Sequence, residues 1–248
     1  MRAVIFAAGL GSRLGGAAEQ MPKVLLRFAN KSLLERLLFQ LDAIGIEEIT
    51  LGVGHGAAHI EAELARLNAR NVELVHNPHY REGSVVTMAV LEDAITRGGD
   101  ILLMDGDVLY DRRMLGRLVA SPHRNLFLLD RDVEPGEEPM KLAIEAGHPV
   151  DFRKTLERTH EYYGESVGFF RFDETVAQDL CAAARQIIAE GRRGDYMEEA
   201  IRNVLLASTK GRFGFEDITG LPWIEIDFAE DIVRAENDIL PRLIAADT

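Results

Sequence analysis

Arg2-Ala3-Val4-Ile5-Phe6-Ala7-Ala8-Gly9-Leu10-Gly11-Ser12-Arg13-Leu14 opens the chain as a short apolar run that ends in a glycine-rich turn. A run of this length between turn signals suits a buried strand, and a glycine turn at its carboxyl end presents backbone N–H groups able to cradle phosphate. The same grammar then repeats. The strand at 2–7 leads through the turn to a helix at 32–44, strand 48–53 to helix 57–68, strand 72–76 to helix 84–97, and strand 100–104 to a turn and helix 112–120. Short apolar runs alternating with amphipathic segments predict an α/β fold, three layers (α/β/α) with a mainly parallel central sheet. In such sheets ligands bind outside the carboxyl ends of the strands, so residues 8–23, 54–56, 77–84 and 105–107 are expected to converge.

Beyond residue 125 the alternation loosens. Strands are expected at 125–129, near 141–145 and 150–154, and at 166–172. An acidic Pro/Gly segment lies at 133–139; helices 174–190 and 195–206, strands near 213–217 and 223–226, and a closing helix 229–244 follow. Internal repeats and low-complexity stretches are absent, so 1–248 reads as a single domain whose role changes near 130. A chain of 248 residues with 47% hydrophobic content buries a substantial core. With 28 basic against 41 acidic residues it lacks the basic footprint that nucleic acid or anionic membrane requires. A small anionic substrate would need a locally basic pocket or a metal. The single cysteine, Cys181, excludes an internal disulfide and fits a reducing compartment, with cytoplasm the expectation. The amino-terminal apolar run is too short for a signal peptide or a membrane span.

The glycine turn lacks the sixth-position glycine and the acidic end of the second strand that a dinucleotide fingerprint needs, and no Gly-Lys-Ser/Thr follows for a P-loop. Arg13 adds a permanent forked cation, and Pro22-Lys23-Val24-Leu25 stands where a loop can bring Lys23 opposite it. Met104-Asp105-Gly106-Asp107 places two carboxylates at the predicted ligand edge, a half-site of the kind magnesium takes beside phosphate oxygens and water, though Asp-Gly-Asp also serves plain turns. Glu225-Ile226-Asp227 ends the last strand; Asp227 there is either a second half-site or a helix cap. Asn77 to Thr87 opens a helix, with Ser84 either an N-cap or a ligand contact.

Taken together, Ala7-Ala8-Gly9-Leu10-Gly11-Ser12-Arg13-Leu14 and Pro22-Lys23-Val24-Leu25 resemble the signature of the nucleotidyltransferase superfamily with the glycosyltransferase-A-like fold. The resemblance implies that Asp107 and Asp227 hold the catalytic Mg2+, that Arg13 and Lys23 are the catalytic cations, and that 1–130 is the nucleotide-binding half and 131–248 the acceptor-binding half. Nucleotide contacts are expected from Ala8, Gly9, Gly11, Ser12, Gly54, Asn77, Ser84 and Asp105. Sugar nucleotidyltransferases carry Gly-Thr-Ala where this chain has Gly83-Ser84-Val85; its Asn…Gly-Ser…Met pattern is more similar to the branch that uses CTP with phosphocholine, phosphonates or inositol phosphate. In the carboxyl-terminal half Glu165, Tyr196, Glu198, Trp223 and Glu225 set aromatics beside carboxylates, the ingredients of an ammonium pocket through cation–π contact and charge, or else of an ordinary core with solvated acids. Lys141 and Lys154 are expected at the acceptor phosphate or, equally, in solvent.

The expected activity is therefore Mg-dependent transfer of CMP from CTP to a small phospho-alcohol or phosphonate, with release of pyrophosphate. The expected partners are a nucleoside triphosphate and a small phosphorylated metabolite, without nucleic acid or membrane; a homodimer is left open. A sugar-1-phosphate nucleotidyltransferase is the alternative, with a glycosyltransferase of the same fold or a non-catalytic nucleotide-binding domain behind it.

Overall fold

Side-chain alternation along β1 (Arg2–Ala7) sets the layering: Val4 and Phe6 enter one apolar cluster, Ala3 and Ile5 the other. The computed structural model describes residues 1–11, 13–15, 21–133 and 139–246, the last three without side-chain detail. A 3-10 turn (Lys23–Leu25) and a two-residue hairpin, β2 (Arg27–Phe28) and β3 (Lys31–Ser32), lead into α1 (Leu33–Ala43). The hairpin turns on Ala29 and Asn30, both at positive φ, which matches the twist of the flanking strands. Then come β4 (Ile49–Val53), α2 (Ala57–Leu67), β5 (Val72–His76), α3 (Ser84–Val90), α4 (Glu92–Ile95), β6 (Ile101–Asp105), β7 (Val108–Tyr110), α5 (Arg113–Ala120) and β8 (Leu126–Asp130). The remainder is β9 (Lys141–Glu145), β10 (His148–Arg153), β11 (Tyr162–Phe172), α6 (Glu174–Ala189), α7 (Met197–Ala207), β12 (Gly214–Asp217), β13 (Trp223–Glu225), α8 (Ala229–Arg234), a π-helical turn (Ala235–Ile239) and α9 (Leu240–Ala246).

The main sheet runs β10-β9-β11-β6-β1-β4-β5, with β8 also paired to β11 and β12 to β8. Strands β6, β1, β4 and β5 are parallel, while β11 runs antiparallel to β6, β8 and β9. Helices α1, α2 and α5 cover one face and α3, α4, α6 and α7 the other. The three α/β/α layers are thus those expected from the amino-terminal alternation.

The differences from expectation have local causes. The helix expected at 84–97 is interrupted at Leu91, which packs onto β4 where Gly52 has no side chain; a Cβ there would come within 2.7 Å of Leu91 Cδ1. The strand expected from 166 begins at Tyr162, because Tyr162–Glu165 pairs with β9. The helix expected from 195 begins at Met197, since Tyr196 is extended. The closing helix contains the π-helical turn, which ends at Ile239, two residues before Pro241, a residue without an N–H to give. Residues 134–138 of the acidic Pro/Gly segment lie outside the described residues. Among the described residues no helix is long and apolar enough to cross a membrane.

Beneath α6 and α7, Phe127 is fully buried and meets Phe152 and Phe170 edge-on at 5.1 and 5.6 Å between ring centres. Phe127→Ala should lower the unfolding free energy by about 3–5 kcal/mol in denaturant titration. Phe39→Ala, at a residue 71% exposed, should stay within about 0.5 kcal/mol.

Candidate active site

Three-residue strands do the decisive positioning. β7 and β13 pair antiparallel, Glu225 opposite Val108, and Ile226 N–H donates to the Asp107 carbonyl at 3.0 Å. The ribbon therefore carries Asp107, Glu225 and Asp227 to one point, where a carboxylate oxygen from each lies within 4.8 Å of the others. Asp227 is no cap: Asp231 reaches back from α8 to accept from the N–H groups of Asp227 and Phe228 at 2.9 and 2.7 Å. This leaves the Asp227 carboxylate to the cleft.

Lys23 lies among these acids. Its ammonium donates to Asp107 Oδ2 at 2.9 Å and to Asp227 Oδ1 at 2.6 Å, and Arg13 Nη2 donates to the same Asp227 oxygen at 2.9 Å. Burial alone would lower the Lys23 pKa, but Asp107 and Asp227 outweigh it and hold the ammonium charged well above its ordinary range. Gly11, at φ +63°, passes over the lysine stem; a Cβ there would stand 3.3 Å from Lys23 Cγ. The glycine turn thus guides the cation as well as exposing amides. Three carboxylates around one site form an oxygen-only donor set of the kind a hard divalent cation takes.

Two cavities meet at this cluster. One, of about 370 Å³, is lined by 6–11, Arg13, Lys23, 80–84 and 105–107. The other, of about 560 Å³, is lined by Asp130, Asp132, Lys154, Glu165 and Trp223 among others. Arg13, Tyr196, Glu198, Glu225 and Asp227 belong to both walls.

Of the residues expected at the nucleotide, Ala8, Gly9, Gly11, Ser84 and Asp105 line the smaller cavity. Ser12 lies outside the described residues. Gly54 sits behind the wall, where a Cβ would come within 2.3 Å of Tyr80 Cβ and 2.9 Å of the Ala8 carbonyl oxygen. Asn77 is fully buried and braces the loop, donating to Thr87 Oγ1 at 2.9 Å and accepting from His79 N–H at 2.8 Å. The Ser84 hydroxyl accepts from Met197 N–H at 2.8 Å rather than capping its own helix. Asp105 turns beneath β11, where Gly168 at φ +75° makes room; a Cβ at 168 would meet Asp105 Oδ2 at 2.2 Å. Burial, then the charges of Glu198, Asp107 and Glu225, raises the Asp105 carboxyl well above the carboxylate range.

At the larger cavity Lys154, Glu165, Tyr196, Glu198, Trp223 and Glu225 line the wall as a group. Lys141 stands outside it and donates to the Lys154 carbonyl at 3.0 Å. Lys154 Nζ lies 5.4 Å from the centre of the Tyr196 ring, and Trp223 Nε1–H donates to Asp130 Oδ2 at 2.7 Å. Glu198 Oε2 is buried and has no hydrogen-bond partner among the described residues. Desolvation pushes the Glu198 carboxyl up to about 7. Glu225 is raised too, by desolvation and then by Asp107 and Asp227. Glu225, expected at the acceptor and read together with Asp227 at the end of the last strand, lines both cavities and stands with the two aspartates, as its two-residue spacing from Asp227 allows. Gly168 and Asp130 escaped notice, because neither carries a local signature of its role.

A family model described as "MobA-like NTP transferase domain" matches residues 3–169. The CMP-5'-(3-aminopropyl)phosphonate synthase of Streptomyces rubellomurinus is 26% identical over 95% of this chain and 38% of its own length. The bifunctional IPC transferase and DIPP synthase of Aquifex aeolicus is 25% identical over 98% of this chain and 52% of its own. The chain thus spans about half or less of these two relatives. Among solved structures, the CTP:phosphocholine cytidylyltransferase of Streptococcus pneumoniae superposes with a TM-score of 0.76 at 20% identity, over 95% of this chain and 97% of that one. This likeness shows the shared fold.

The raised Glu198 carboxyl sets a pH dependence. The folded state holds this proton more tightly than the unfolded one, so its effect is to lower stability as pH rises from the ordinary value of 4.5 to about 7 and to stay level above that. In chelator-treated protein, Glu198→Gln should lose less thermal stability than wild type between about pH 5 and about pH 8. Parallel melting profiles would show that Glu198 does not titrate in this window.

Proposed function

We propose, since the chain belongs to the family of MobA-like NTP transferase domains, that it is a cytidylyltransferase transferring CMP from CTP to a small phospho-alcohol or phosphonate carrying an ammonium group. One observation carries the reading: two cavities share a wall at a carboxylate cluster bridged by Lys23. Such a junction brings two anionic reactants to one point, where the main barrier is their repulsion and disorder.

The acceptor oxygen attacks the α-phosphorus in line, the bond to the bridging oxygen breaks, and pyrophosphate leaves. A phosphate monoester has its second pKa near 6, so its nucleophilic oxygen is largely ionised at neutral pH and needs no catalytic base. Lys23 and Arg13 neutralise phosphate charge from the nucleotide side, and the amides of the glycine turn add dipoles. Asp107 and Asp227, with Glu225 beside them, would hold magnesium, which when bound supplies charge to the phosphates. Ala8, Gly9 and Gly11 are the nucleotide contacts proposed from the cavity wall, and Lys154 is the cation proposed for the acceptor phosphate.

The larger cavity favours a cationic acceptor. Its lining holds eight carboxylates, with Asp130, Asp132, Glu165 and Glu198 among them, against the four cations Arg13, Lys154, Arg234 and Arg242; Tyr196 is 52% exposed, and the Glu198 oxygen that lacks a hydrogen-bond partner among the described residues gains most from an N–H donor or a positive charge. The aminopropylphosphonate and phosphocholine named for two similar proteins are acceptors of this class. CTP is favoured by the same names and by the Gly83-Ser84-Val85 departure from the sugar pattern.

Pyrophosphate release tests the reading directly. Four nucleoside triphosphates are crossed with phosphocholine, 2-aminoethylphosphonate, inositol phosphate, glycerol phosphate and sugar phosphates, with and without magnesium. Turnover is expected in the CTP row with the amine-bearing acceptors and only with magnesium present. Turnover confined to sugar phosphates, or none in any cell, would overturn it.

A further inference from the structure

The loop 79–83 on the nucleotide side and the start of α7 on the acceptor side are joined by a continuous set of hydrogen bonds. Gly83 N–H donates to the Arg193 carbonyl at 2.8 Å and Val85 N–H to the Asp195 carbonyl at 3.2 Å. Glu82 pairs with Arg193 through both carboxylate oxygens, one contact being 3.0 Å. The approach is so close that a Cβ on Gly83 would lie 1.9 Å from the Asp195 carbonyl oxygen. At the centre, Ser84 Oγ accepts from Met197 N–H at 2.8 Å.

Met197 is the first residue of α7, and its N–H is one of the groups a helix start leaves without an internal partner. The residue in the N-cap position is Tyr196, whose side chain makes no capping bond. The cap comes instead from Ser84, the first residue of the neighbouring α3. Met197 is itself 1% exposed and locked in the core, and its chain neighbours, Tyr196 at the N-cap and Glu198 in the first turn, line both cavities.

We infer that Ser84 is a positioning residue for the acceptor: by capping α7 from the nucleotide-side helix it fixes the Tyr196 ring and the Glu198 carboxylate in the shared wall. This rests on the cytidylyltransferase reading above for the identity of the two substrates. The hydroxyl oxygen accepts from Met197 N–H, so its loss is expected first at the acceptor wall that flanks Met197. Gly83, Glu82 and Arg193 keep the two loops together when the hydroxyl is removed, so the variant folds.

The test compares wild type, Ser84→Ala and Ser84→Thr, with CTP and either 2-aminoethylphosphonate or phosphocholine. Loss of a cap of this kind corresponds to about a fivefold change, expected in KM for the acceptor. KM for CTP should stay within about twofold, and Ser84→Thr, which keeps the hydroxyl, should recover most of the loss. Amide exchange at Met197, measured without substrates, should rise in Ser84→Ala and return in Ser84→Thr. A rise in KM for CTP with the acceptor unaffected would overturn the inference and make Ser84 a nucleotide contact. Unchanged exchange at Met197 would overturn it by showing that the bond carries nothing. A wild type inactive with both acceptors would defeat the cytidylyltransferase reading and the acceptor role with it, while the exchange data would still show separately whether the cap exists.

Discussion

The ammonium of Lys23 between Asp107 and Asp227 is the interaction on which the rest of the site depends. Carboxylates from two distant parts of the chain converge there, and without a compensating cation their mutual repulsion in a partly desolvated cleft would oppose the fold itself. Lys23 supplies that charge, and Arg13 supports it from the glycine turn. A site arranged in this way is ready for phosphates: the same cations that quiet the carboxylates are those a triphosphate would draw upon. Further in, Asp105, Glu198 and Glu225 keep raised pKa values, so the acid-rich region avoids holding all its negative charge at once.

Backbone proximity turns this electrostatic centre into a precise one. Gly11 lets the turn lie on the Lys23 stem, Gly83 lets one loop touch the carbonyl of another, and Gly168 opens β11 above the Asp105 carboxyl. Each is a place where a side chain would occupy space that the site needs. The β7–β13 ribbon adds the last constraint, since its hydrogen bonds set Asp107 beside Glu225 and Asp227 without help from any long strand. The two apolar clusters on either face of the sheet hold these edges rigid.

Much of this was legible in the sequence. Strands β1, β4, β5 and β6 announce themselves because each is a short apolar run followed by an amphipathic helix, and the sheet's carboxyl edge then locates the cleft. Asp107, Asp227, Arg13 and Lys23 were recognisable as a set because their local patterns resemble a known signature, and the structure brings all four together. The pairing of β7 with β13 was not legible, since three residues are too few to show a period. Nor was the partner of Ser84: a serine before a helix looks like that helix's own cap, and only the tertiary fold reveals that Met197 takes the hydroxyl. Nor was the role in the fold of Asn77, whose polar side chain serves the loop from a fully buried position.

The most direct test of the account asks whether the carboxylates around Lys23 are the chemical centre of the molecule. Turnover and melting of Asp107→Asn and Asp227→Asn are measured beside wild type, with CTP, magnesium and the acceptor that gives the highest wild-type rate. The expected result is a loss of at least about a hundredfold in kcat for both variants, with the cooperative melting of a folded protein retained. Near-normal turnover in either folded variant would place the chemistry elsewhere and contradict it.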